Sequence, residues 1–179
     1  LPLSAKSEFV DIDYNKDGSV SVNIHNKKKD GTEGRKLLKR TFIPEQTKEV
    51  RIYGLSGRDE YKLHGSGKSP IKIRIIGGDD NDLYRTTEKF ANGNKVYIYD
   101  SKGPTSNDLK IDDDIHLKLS RDTAIHRFEH DNFLYDRKGV VFNLDYGVDR
   151  GLIFGLGYLI ENQGFRKKPY AYRHQILGS

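Results

Sequence analysis

Three segments of the chain restate one pattern at a constant spacing of 23 residues: VRIYGLSGRDEY (50–61), IRIIGGDDNDLY (73–84) and VYIYDSKGPTSN (96–107). Val50, Ile73 and Val96 align, as do Ile52, Ile75 and Ile98; Gly54 with Gly77, Asp59 with Asp82 and Tyr61 with Tyr84 follow in the first two copies. A short β-branched run that closes in a Gly/Asp turn and repeats at fixed period is the pattern of stacked β-coils. One coil cannot bury its own apolar row, whereas coils stacked at strand spacing form a continuous ladder. The spacing predicts an all-β chain with a short parallel, solenoid-like region. Two good copies and one worn copy are few, so caps are expected on both sides.

The 179 residues, 35% of them hydrophobic, suffice for one domain with a core or for two small modules, and the mean hydropathy of −0.76 places the chain outside the helical membrane proteins. Thirty-one basic and 26 acidic residues give a net charge of +5 and are interleaved along the chain, which reads as a solvated surface and predicts no nucleic-acid partner. Without cysteine there is no disulfide framework and no thiolate metal site. A chain that opens on Leu1 and lacks Met is expected to be a fragment or processed piece of something longer.

Four zones follow. In residues 1–46, Phe9, Val10, Ile12 and Tyr14 precede NKDG (15–18), and Val20, Val22 and Ile24 alternate after it, predicting a β-hairpin or cap. Asp13, Asn15, Asp17 and Gly18 also match the first half of a calcium loop, in which oxygens at alternate positions converge while Gly makes the bend. Ile24, however, stands where the bidentate Glu belongs. Residues 47–110 are the repeat. There GGDDNDLY approaches a calcium-binding nonapeptide, which makes Asp59, Asp79, Asp80 and Asp82 candidate ligands; the plainer reading is that Asp and Gly here form turns. Asp80 occupies a Gly position of that motif, and Thr105 replaces Asp in the third copy.

Residues 111–138 read as a linker. His126, Glu129 and His130 spell H-x-x-E-H, the zinc motif of inverted peptidases, with Glu161 the nearest candidate third ligand, and Asp114 with His116 spells the D-x-H of phosphoesterase metal sites. Both motifs lack their usual context. In residues 139–179, Leu152, Phe154, Leu156, Tyr158 and Ile160 alternate with Ile153, Gly155, Gly157 and Leu159. Large apolar groups on one side and small ones on the other, over about ten residues, match a strand that crosses an outer membrane, and the same period fits an ordinary amphipathic strand of a soluble sheet.

The run DYGVDRGLIFGLGYLIENQGFRKKPYAYRH (145–174) resembles the opening of the C-terminal surface-antigen barrel, related to the outer-membrane assembly and secretion barrels. That barrel is found in large bacterial proteins whose N-terminal part is often a calcineurin-like metallophosphoesterase. TKEVRIYGLSGRDEYKLHGSG and IKIRIIGGDDNDLY resemble the β-repeats between the two parts. The resemblance implies a Gram-negative outer-membrane protein with its repeats in the periplasm or outside. The motif set that would hold two metals, G-N-H included, is missing, so no catalytic residue is carried over and the chain itself is not expected to be an enzyme. Its strands are too few to close a barrel. The expected function is a noncatalytic connector, with a membrane and an upstream or partner domain as partners. The alternatives are a fragment of a metallophosphoesterase whose catalytic domain lies elsewhere, or a calcium-binding adhesive solenoid. Calcium is the one cofactor this reading leaves room for.

Overall fold

The computed structural model describes residues 1–87, 90–102, 108–122, 124, 127–129 and 134–178. Its described residues form strands, with a 3-10 turn at Gly93–Lys95 and no α-helix, in two compact units, Leu1–Phe128 and Glu129–Ser179.

The first unit opens with a meander. Strands β1 (Glu8–Tyr14) and β2 (Val20–Lys27) pair antiparallel, with Ile12 opposite Val22 and Tyr14 opposite Val20. Their period-two pattern sends Val10, Ile12 and Tyr14, and Val20, Val22 and Ile24, to one side, where all six are buried. The loop between them turns on Gly18 (φ +86°), while the Asp17 carboxylate accepts the Ser19 N–H and hydroxyl. A third strand, β3 (Glu33–Phe42), pairs antiparallel with β2 and carries register shifts on either side of His25.

Seven further strands alternate between two sheets: β4 (Glu49–Leu55), β5 (Glu60–His64), β6 (Lys72–Gly78), β7 (Leu83–Thr86), β8 (Val96–Ser101), β9 (Asp108–Lys110) and β10 (His116–Ser120). Strands β4, β6, β8 and β10 make an all-parallel sheet in the order β10-β8-β6-β4. The others extend the meander in parallel to give the mixed order β3-β2-β1-β5-β7-β9. Val50 pairs with Ile73 and Ile73 with Val96; Ile52 pairs with Ile75 and Ile75 with Ile98. Tyr61 pairs with Tyr84 in the other sheet. Residues Val10, Ile12, Leu63, Ile52, Ile73, Ile75 and Ile98 belong to one buried cluster that both sheets share. Burying each such side chain contributes about 1.5–3 kcal/mol.

Residues 111–138 do not act as one linker. The segment contains β10, whose Leu117 pairs with Ile98, because its alternation is enough to continue the parallel sheet, and the compact units divide within it, after Phe128.

The second unit is an antiparallel meander of β11 (Arg137–Gly147), β12 (Gly151–Asn162) and β13 (Tyr172–Gly178), an open sheet and not a closed barrel. A tight turn joins the first two, with the Arg150 N–H bonded to the Gly147 carbonyl and Gly151 at φ +69°.

Candidate functional site: stacked carboxylates and an exposed apolar sheet

The turns that follow β4 and β6 stack their aspartates. The Asp59 carboxylate accepts the backbone N–H of Glu8 at 2.8 Å, and the Asp82 carboxylate accepts the N–H of Asp59 at 2.9 Å. Each acid therefore caps the turn of the strand before it in the stack. The aromatic rings form a parallel column: Tyr61 and Tyr84 stack at 5.1 Å with their planes 7° apart, and their hydroxyls donate to Asp59 and Asp82, both at 3.3 Å. Glycine is required beside this column. A Cβ on Gly54 would lie 2.3 Å from the Gly77 carbonyl oxygen, and one on Gly77 would lie 2.7 Å from the Asp100 carboxyl group.

Asp100 belongs to the same column and was invisible to motif reading. It stands in the third copy at the register of Gly54 and Gly77, while that copy has Thr105, outside the described residues, at the register of Asp59 and Asp82. Its side chain fills the space the Gly77 hydrogen leaves and accepts the Tyr84 hydroxyl at 2.7 Å and the Ser101 N–H at 2.6 Å. The acid has moved along the chain, yet a carboxylate still meets the tyrosine. An acid at a glycine register of a worn repeat is the signal that would have revealed it.

Burial drives the protonation of this column. Desolvation pushes Asp59 up to about 8, with the negative charges of Asp82 and Glu8 adding to it against the Glu8 N–H bond. Desolvation likewise raises Asp82 to about 7, with Asp100 adding, and Asp100 to about 6. Both tyrosines are raised by burial first and by the neighbouring carboxylates second. Tyr84 has one hydroxyl proton and two carboxylates within reach, so a proton on Asp82 or Asp100 completes the second bond. Glu8 extends the column; its Oε1 accepts the Ser4 hydroxyl, while Oε2 is buried without a hydrogen-bond partner among the described residues.

The other candidate ligands are dispersed. Asp80 is exposed and accepts the Gly57 N–H at 2.8 Å; Asp79 is exposed in the same turn. Residues 78–82, GDDND, formally spell the G-D-x-x-D of two-metal phosphoesterases, but Asp79 faces solvent while Asp82 is buried against Asp59 and Tyr84. Asp13 lies 3.4 Å from His64 Nδ1, Asn15 donates to Ser19 and Ser21, and Asp17 accepts from Ser19, so these three do not converge. Asp114 packs at Gly93, and His116 stacks on Tyr97 at 4.4 Å. His126 and His130 lie outside the described residues. Among the described residues no group of three His, Asp or Glu side chains is placed to hold a metal ion.

In the second unit the cross-strand register sorts side chains by size. Val140, Phe142, Leu144 and Tyr146 of β11 stand opposite Tyr158, Leu156, Phe154 and Leu152 of β12, and Tyr158 stands opposite Ile176 of β13. With Ile160, these side chains are between 36% and 79% exposed. The opposite face holds Val141, Asn143 and Asp145 against Gly157, Gly155 and Ile153. Gly157 lets β13 approach, since a Cβ there would lie 2.2 Å from the Ile176 carbonyl oxygen. Glu161 is buried on that face between its register partners Arg137 and Arg173, at 4.0 and 3.8 Å, a structural position rather than a ligating one. Soluble sheets bury their apolar side; this one exposes it.

No known family, curated protein or solved structure matches the chain.

Proposed function

We propose that the chain is a noncatalytic β-rich connector of a surface-antigen-type outer-membrane protein. On this reading the parallel strands are a short solenoid with a 23-residue coil, capped by β1–β3, and β11–β13 are the opening strands of a barrel that continues with strands beyond these three. The parent's catalytic or binding domain is then positioned at the barrel mouth.

The observation that carries the reading is the exposed apolar face of β11–β13, backed by a face on which Gly155, Gly157, Asn143, Asp145 and Glu161 stand among Val141, Ile153, Leu159 and Leu177. Hydrocarbon rewards that distribution and water penalises it, and the 12 residues of β12 exceed the ~9–11 a tilted strand needs to cross. The chain contains no Trp, so a single Phe154→Trp reporter is clean. In lipid vesicles its emission is expected to shift to the blue and to be quenched by brominated acyl chains, whereas Asn143→Trp on the opposite face is quenched less. Equal quenching at the two positions, or none at either, would sink the proposal.

The calcium reading is separated by a melt. Asp59 and Asp82 already accept N–H and O–H donors, so added calcium is expected to leave the transition unchanged. A calcium-dependent rise in Tm that disappears in Asp82→Asn would instead favour the adhesive solenoid.

A further inference from the structure

The sequence spreads its charges evenly, but the surplus does not follow. Residues 27–40 hold seven basic and two acidic side chains, a local excess of +5 that equals the formal net charge of the entire chain. The remaining residues are neutral in sum. The segment comprises the end of β2, its turn and most of β3, the outermost strand of the six-stranded sheet.

Little of this charge is neutralised locally. Asp30 is held in the turn by the Thr32 N–H and hydroxyl, and Glu33 pairs with His25 at 2.6 Å. Lys27 reaches Glu60 at 3.3 Å and lies over the Phe9 ring. Lys28, Lys29, Arg35, Lys36 and Lys39 are exposed and have no acidic partner among the described residues. The register shifts around His25 leave Leu37 without a cross-strand partner, 44% exposed between Lys36 and Lys39.

We propose that this bulged basic end of the β2–β3 hairpin docks on the phosphate-bearing headgroups of a membrane, with Leu37 as a shallow apolar contact. The inference rests on the reading of β11–β13 as membrane strands. Charge complementarity selects the class of partner: five exposed cations without an acidic partner among the described residues, spread over residues 28–39 on both limbs of the hairpin end, match an extended anionic plane better than a single small anion. Bulges and lysines on an edge strand oppose addition of another strand, which disfavours an acidic β-peptide. Single-stranded nucleic acid needs stacking rings, and the nearest aromatics are occupied, Phe42 buried beneath Arg40 and Phe9 beneath Lys27.

Flotation of the full chain with phosphatidylcholine vesicles, with and without phosphatidylglycerol, tests it. Phosphatidylglycerol is expected to strengthen binding, and salt to remove the gain. The triple variant Lys28→Glu, Lys36→Glu, Lys39→Glu should lower that gain on the order of a hundredfold, while reversal at Lys16, Lys62 and Lys68 lowers it far less. Binding to pure phosphatidylcholine, owed to the apolar sheet, should be equal in all three proteins. If phosphatidylglycerol gives no gain, or both triple variants lose it equally, the inference fails while the membrane reading of β11–β13 stands. Absence of binding to either vesicle would overturn both. Displacement of the protein from phosphatidylglycerol vesicles by polyglutamate, single-stranded DNA or inorganic phosphate at constant ionic strength would assign the hairpin to a soluble anion and overturn the membrane commitment.

Discussion

At the scale of single residues, the carboxylate column makes folding depend on protons. Asp59 and Asp82 keep their protons up to about 8 and 7, against an ordinary value of 3.8. Between those limits the folded chain binds more protons than the unfolded one, so this contribution is fully present at acid pH. It is lost progressively from about pH 4 upward, by roughly 1.4 kcal/mol per pH unit for each group, until the loss is complete once pH passes about 7 for Asp82 and about 8 for Asp59. The Tm is expected to fall over that window, and Asp59→Asn, whose amide oxygen still accepts the Glu8 N–H, should flatten the fall. Identical slopes in the two proteins would refute the assignment. The tyrosines give a second contrast. The Tyr84 hydroxyl reaches Asp100 at 2.7 Å and Asp82 at 3.3 Å, whereas Tyr61 makes one 3.3 Å bond. By urea unfolding, Tyr84→Phe should cost about 1.5–3 kcal/mol and Tyr61→Phe distinctly less.

At the scale of elements, protection should follow the number of neighbours. Strand β6 is paired on both sides, while β10 is paired on one and leaves Leu117 and Leu119 more than a third exposed. Hydrogen exchange is expected to be slowest in β6 and much faster in β10; equal rates would mean that an unseen element covers β10. The same strands mark how far the sequence could be read. Ile52, Ile75 and Ile98 stand side by side, and the β1–β2 turn is where Gly18 and Asp17 announce it, because both features are local and periodic. Strand β3 was not legible, since EGRKLLKRTF carries charge where a buried strand would alternate, and only its place at a sheet edge tolerates that. Nor was the pairing of β1 with β5, in which Val10 meets Tyr61 across the inserted β2 and β3. Of the candidate site, Asp59 and Asp82 were visible as repeated acids. Their role as caps was not, because it depends on which backbone N–H the stack brings beneath each carboxylate.

At the scale of the whole molecule, the two units differ in what they do with their apolar side chains. The first buries its branched side chains between sheets, with Ile12, Ile52, Ile73, Ile75 and Ile98 at 0% exposure. The second has one layer, so its apolar face has no covering sheet of its own, and β11 and β13 each end the sheet with an unpaired edge among the described residues. With Phe142, Leu144, Leu152, Phe154 and Ile176 exposed, the sheet gains little from apolar burial in water. Amides of β12 are therefore expected to gain at least about tenfold protection from exchange when the full chain is moved from buffer into detergent micelles. Those of β6 should be unchanged, because micelles offer the first unit nothing its core lacks. Hydrogen exchange read by mass spectrometry on both strands of the same sample makes β6 the internal control. Strong protection of β12 already in buffer would mean that its apolar face is covered without lipid, and the membrane role would then have to be given up.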